Sequence, residues 1–139
     1  SMSEFHRVTE RLSVAPQLAP EDMAAAAAQG FKRVVCNRPD GEGPGQPSGG
    51  AINAAAPAAG QELLHIPIPG MPDAATADAL FAAVAESPGP VLAYCRSGTR
   101  SITAWALGAL RAGAQDRAEL VALAAGAGYD LSAALPRPM

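Results

Sequence analysis

The chain has few aromatic residues, no excess of basic charge and only two cysteines and two histidines in 139 residues. Each shortage excludes something. Three Phe, two Tyr and one Trp amount to 4% aromatics, so the 49% apolar fraction must build its core mainly from Ala, Val, Leu and Ile. Ten basic against thirteen acidic side chains give a formal net charge of −3, without the basic stripe that a phosphate backbone requires; no nucleic-acid partner is expected. Cys36 and Cys95 are too few for a disulfide scaffold. With His6 and His65 they offer no ligand spacing for a metal, and neither metal nor cofactor is expected. No apolar run approaches membrane-spanning length and no leader-like segment opens the chain. The reading is a soluble, cytoplasmic protein of one domain over 4–135, with residues 1–3 as a tag remnant and 136–139 as a tail.

What is present is an alternation of short apolar runs and helical segments. Phe5–Val8 and Leu12–Ala15 read as an N-terminal hairpin. Pro20-Glu21-Asp22 reads as a helix start, with the helix continuing to Gln29 and stopping at Gly30. Arg33–Cys36 is a β-branched run typical of a buried strand. Residues 37–50 form a long Gly- and Pro-rich loop, the kind that carries function in compact domains. A helix over Ala51–Ala59 must end or kink at Pro57. Glu62–Ile66 is a strand and Ala75–Glu86 a helix. Val91–Tyr94 is the most apolar strand, followed by helices from about Arg100 to Ala112 and from Asp116 to Ala125. Strands alternating with helices predict an α/β domain whose central sheet is mainly parallel and flanked by helices.

The chemistry concentrates at Cys95-Arg96-Ser97-Gly98-Thr99-Arg100-Ser101, between the strand at 91–94 and the following helix. Ligands in an open α/β sheet bind beyond the carboxyl ends of the strands, where this loop lies. Gly98 permits a tight curl that points successive N–H groups at one spot. The helix start adds a positive dipole end, and Arg100 adds a planar fork suited to an oxyanion. Together they predict an anion cradle with a nucleophilic thiol at its first position, and the same positive field favours thiolate over thiol. In this reading Cys95 and Arg100 are catalytic, and Arg96, Ser97, Gly98, Thr99 and Ser101 bind the anion. Ser101 could also hydrogen-bond the sulfur.

That loop, preceded by Pro90-Val91-Leu92-Ala93-Tyr94, resembles the phosphatase-like domain of the bacterial β-lactamase-hydrolase-like family. Leu12-Ser13-Val14-Ala15-Pro16-Gln17, Asn37-Arg38-Pro39-Asp40-Gly41-Glu42, Gln46-Pro47-Ser48, His65-Ile66-Pro67-Ile68 and Ala127-Gly128-Tyr129-Asp130-Leu131 agree with it. The resemblance runs from about Phe5 to Leu135. It implies a single-domain fold similar to that of tyrosine and dual-specificity phosphatases, and some family members are described as sulfurtransferases. Tyrosine phosphatases place five residues between Cys and Arg, usually with His before the Cys. Here four residues separate Cys95 from Arg100 and Tyr94 precedes the Cys, a spacing that looks like the loop of rhodaneses.

Related phosphatases place a general acid where Asp73 stands; the other reading of Asp73 is a cap for the helix beginning near Ala75. Arg38, Asp40 and Glu42 follow the strand ending at Cys36 and could bind substrate or supply an acid, or simply form a solvated turn. Cys36 could resolve a modified Cys95, or be a small core residue. The leading expectation is a sulfurtransferase in which Cys95 takes sulfur from thiosulfate or a persulfide and passes it to a small thiol, cyanide or an acceptor protein. The alternatives are a tyrosine- or dual-specificity-type phosphatase working through phosphocysteine on a phosphate ester, and a non-catalytic anion or persulfide sensor.

Overall fold

The structure is a computed structural model and describes residues 4–137. The proposed tag remnant at 1–3 and the last two residues of the proposed tail lie outside the described residues. Ten elements follow the chain: β1 His6–Arg7, β2 Leu12–Ala15, α1 Asp22–Ala28, β3 Arg33–Cys36, α2 Gly49–Ala58, β4 Glu62–His65, α3 Ala74–Ala85, β5 Val91–Tyr94, α4 Thr99–Arg111 and α5 Arg117–Gly126. The strands form one sheet in the order β1-β2-β5-β3-β4. β1 closes one edge antiparallel to β2, and every other pairing is parallel. The expected α/β architecture with a mainly parallel sheet is what the chain adopts.

Alternation along the inner strands explains the two-sided packing, because successive side chains point to opposite faces. Val35, Val91 and Ala93 face one way, into a core shared with Leu80 and Val84 of α3, Ile102 and Trp105 of α4 and Leu120 of α5. Val34, Cys36, Leu92 and Tyr94 face the other way, against Met23 and Ala26 of α1 and Ile52 and Ala56 of α2. β5 is buried along its whole length at the centre of the sheet, so Cys95 leaves the sheet at its best-supported strand end.

The helix boundaries fall within a residue or two of the sequence reading. α1 starts at Asp22, within the expected Pro20-Glu21-Asp22 start, and the buried Asp22 carboxylate accepts the Ala19 N–H at 2.7 Å. α2 starts at Gly49, ahead of the expected Ala51, because Ser48 caps it by accepting the Ala51 N–H at 3.2 Å. Pro57 falls in the last turn of α2, where the helix ends one residue later.

α4 is the most deeply buried helix and crosses α3 closely at Gly108. A Cβ there would collide with the Ala77 carbonyl oxygen and the Phe81 Cβ. The Gly108→Ala variant is therefore expected to lose about 1–3 kcal/mol of stability, the usual penalty for overpacking, with the active loop's chemistry intact; urea unfolding of the two proteins checks it.

Candidate active site

β2, β5 and β3 end side by side, and the loop after β5 is tied into that end of the sheet. Cys95 N–H donates to the Ala15 carbonyl at 3.4 Å, and Gln17 N–H donates to the Arg96 carbonyl at 3.2 Å. Cys95 itself is fully buried. The chain then curls through Gly98, whose φ of +92° lies in the left-handed region that glycine tolerates. That turn aims the Gly98 N–H at Cys95 Sγ, 3.1 Å away. α4 begins at the next residue with no side-chain cap, so its positive end stays directed at the loop.

The remaining loop residues divide by position. Ser97 Oγ lies 3.0 Å from Thr99 Oγ1 and accepts the Thr99 N–H at 3.3 Å, bracing the curl. Arg96, Ser97 and Thr99 are exposed, and Gly98 and Ser101 are buried. Ser101 Oγ has no hydrogen-bond partner among the described residues. A buried hydroxyl without a partner is costly, which leaves Ser101, in the first turn of α4, with a donor to spare.

Arg100 is held from above. Its Nη1 donates to Glu42 Oε2 at 2.7 Å and to the Ile68 carbonyl at 2.6 Å, and its Nη2 donates to Glu42 Oε1 at 2.8 Å. Glu42 also accepts from Arg38 Nε at 3.1 Å, and Arg38 Nη1 reaches Gln17 Oε1 at 3.0 Å. One carboxylate thus joins the loop's arginine to a second, buried arginine. The Arg100 hydrogen bonds, with a smaller contribution from Arg38, bring the Glu42 carboxyl down to about 2. Glu42 is consequently ionised at neutral pH and has no proton to give.

The other candidates fall elsewhere. Asp40 turns back to accept the Gly49 N–H at 3.0 Å, at the start of α2. Asp73 caps α3 by accepting the Thr76 N–H at 2.8 Å, and that bond holds its exposed carboxyl below the usual range. Cys36 lies on the α1–α2 face of the sheet with its sulfur 3.4 Å from the Arg38 carbonyl, and burial pushes its thiol up. Both cysteines are free. Among the described residues no three His, Cys, Asp or Glu side chains are arranged to hold a metal, and no helix is long and apolar enough to cross a membrane. An apolar groove of about 390 Å³ runs beside the loop between Gly70-Met71-Pro72 and Thr99, Arg100, Thr103 and Ala134. Glu42, weighed in the sequence only beside Arg38 and Asp40, proves to be the member of that trio that reaches Arg100.

Comparison with known proteins shows the family and the fold. The family profile of the β-lactamase hydrolase-like protein, phosphatase-like domain, matches residues 4–114. β-Lactamase hydrolase-like proteins of Agrobacterium fabrum and Xylella fastidiosa are 41% and 35% identical over 130 and 129 residues, 92% of this chain in each case. The chain spans 30% of the length of these relatives. Among solved structures, a candidate phosphatase from Neisseria meningitidis superposes with a TM-score of 0.80 at 30% identity, covering 91% of this chain and 89% of that one. Tk-PTP, at 21% identity and a TM-score of 0.69, covers 89% of this chain and 84% of its own, and shows the fold alone. The chain belongs to the phosphatase-like domain family of the β-lactamase hydrolase-like proteins.

Proposed function

We propose that the chain transfers a phosphoryl group through a phosphocysteine at Cys95, from esters whose leaving group needs no protonation. The observation that carries this is the Gly98 N–H set 3.1 Å from Cys95 Sγ, in a loop whose Arg100 is already oriented. The Cys95 thiolate attacks phosphorus, an S–P bond forms, and the P–O bond breaks with its electron pair on the leaving oxygen. Water then attacks phosphorus, releasing inorganic phosphate and restoring the thiolate. The loop amides, the α4 dipole and Arg100 offset the charge of the transferring group. Ser101 Oγ can donate to the sulfur as the thiolate is expelled. Asp73, as a helix cap, and Glu42, as the partner of two arginines, are both ionised, and Asp40 turns back to the start of α2. Alkyl esters, whose leaving oxygen is strongly basic, are then poor substrates, and aryl or acyl phosphates good ones. The apolar groove beside Arg100 offers the ester's organic body a surface.

Sulfur transfer is the second reading, favoured by the four-residue interval between Cys95 and Arg100 and by a site that offers no acid. There the thiolate attacks the outer sulfur of thiosulfate, the S–S bond breaks, sulfite departs with the electron pair, and a Cys95 persulfide remains for an acceptor thiol or cyanide. The relatives' family description supports the phosphoryl reading and is silent on this one.

A side-by-side assay separates the two. Wild-type protein is given p-nitrophenyl phosphate or thiosulfate with cyanide, and the acid-quenched protein is weighed by mass spectrometry. Phosphate release with a phosphoryl adduct on Cys95 supports the proposal. Thiocyanate formation with one added sulfur on Cys95, and no phosphate release, overturns it in favour of sulfur transfer.

A further inference from the structure

One peptide unit in the loop, Ser97–Gly98, is held at both ends. Its N–H, on Gly98, donates to Cys95 Sγ at 3.1 Å. Its carbonyl, on Ser97, accepts the Tyr129 hydroxyl at 2.9 Å. Tyr129 arrives from the segment after α5, far from the loop in sequence. It is well anchored: its N–H donates to the Ala124 carbonyl at 2.8 Å, and its ring meets the His6 ring edge-on with centroids 5.6 Å apart. His6 Nδ1 in turn lies 3.1 Å from the Ala127 carbonyl. Gly98 leaves no room for a side chain, since a Cβ there would run into the Tyr129 hydroxyl.

A hydrogen bond to a peptide carbonyl polarises the amide and strengthens its N–H as a donor. We propose that Tyr129 is a positioning residue for the nucleophile: by gripping the Ser97 carbonyl it fixes the Ser97–Gly98 peptide with its N–H on Cys95 Sγ and so favours the thiolate. The inference rests on the nucleophilic reading of Cys95 but not on which group Cys95 carries. Arg100 on α4, Cys36 on β3 and Tyr129 itself are among the ionisable groups that interact electrostatically with the Cys95 sulfur. Of these, only Tyr129 grips the carbonyl of the peptide whose N–H meets the sulfur.

The test is Tyr129→Phe, which keeps the ring and its contact with His6 and removes only the hydroxyl. The Cys95 thiolate is followed by its ultraviolet absorbance against pH, with Cys95→Ser as the baseline. The titration midpoint should rise by roughly half a unit to one unit, the equivalent of one ordinary hydrogen bond. Turnover should fall about threefold to tenfold below that midpoint and recover above it. Inorganic phosphate should bind the variant as it binds wild type. A midpoint that stays in place while the thiolate is clearly seen overturns the role of Tyr129 alone, whatever happens to the melting temperature. A wild-type protein in which Cys95 gives no thiolate signal overturns the nucleophile reading and this inference with it.

Discussion

Cys95→Ser should lower turnover roughly a thousandfold or more, on whichever substrate the wild type uses. The thiolate supplies the bond-forming electron pair in both proposed reactions, and a serine hydroxyl in the same place is un-ionised at neutral pH. The Gly98 N–H that meets the sulfur would meet the hydroxyl oxygen instead, so the loop should keep its curl. Inorganic phosphate, which needs the loop amides and Arg100 rather than the sulfur, should therefore bind within about threefold of wild type. Steady-state kinetics and phosphate titration calorimetry on the same preparation check both halves. Retained turnover in Cys95→Ser, with loss in Cys36→Ser instead, would move the nucleophile to the wrong cysteine and defeat the proposal.

Arg100→Lys should cost about two to three orders of magnitude in kcat/KM. Arg100 uses both terminal nitrogens to lie flat between the Glu42 carboxylate and the Ile68 carbonyl. A lysine ammonium can satisfy one of these acceptors but cannot present a planar fork to an oxyanion at the same time. Glu42→Gln should be milder, raising KM about tenfold, because the amide keeps one acceptor for Arg100 but loses the charge that orients it. The same pair sets an acid limit. The Glu42 carboxyl titrates near 4.5 when unpaired and is held down to about 2 in the folded protein. A folded-state value below the unfolded one means that its stabilising contribution is complete above about pH 4.5 and disappears as pH falls towards 2. In Glu42→Gln that part of the acid unfolding curve should flatten; a curve identical to wild type would show that the ion pair contributes nothing to the folded state.

Support for phosphoryl over sulfur chemistry comes from the family, not from the loop. Within the sequence, the interval from Cys95 to Arg100 and the absence of an obvious acid pointed towards sulfur transfer. The structure strengthens the second of those points, since Asp73 and Glu42 are both ionised. The family description favours the phosphoryl reading, and the transferred group is for experiment to decide.

How much was legible follows from the range over which each signal acts. The apolar run at 91–94, Gly98 in a tight curl and the cap at Asp73 are local, decided by a few neighbouring residues, and the sequence carries them openly. The α/β class follows from the same short-range patterns. The start of α2 shifted to Gly49 because the Ser48 side-chain cap acts over three residues.

The sequence alone therefore determined the class of fold and the strand–loop–helix that presents Cys95. Only the tertiary structure decided what surrounds that pair. Glu42 reaches Arg100 because β3 lies directly beside β5, bringing the loop that follows β3 over the start of α4. Tyr129 reaches Ser97 because the chain beyond α5 returns to the same end of the sheet. Such contacts depend on strand order and helix placement, which arise from burying two faces of a sheet at once, and no local pattern of residues encodes which distant side chain that burial will deliver.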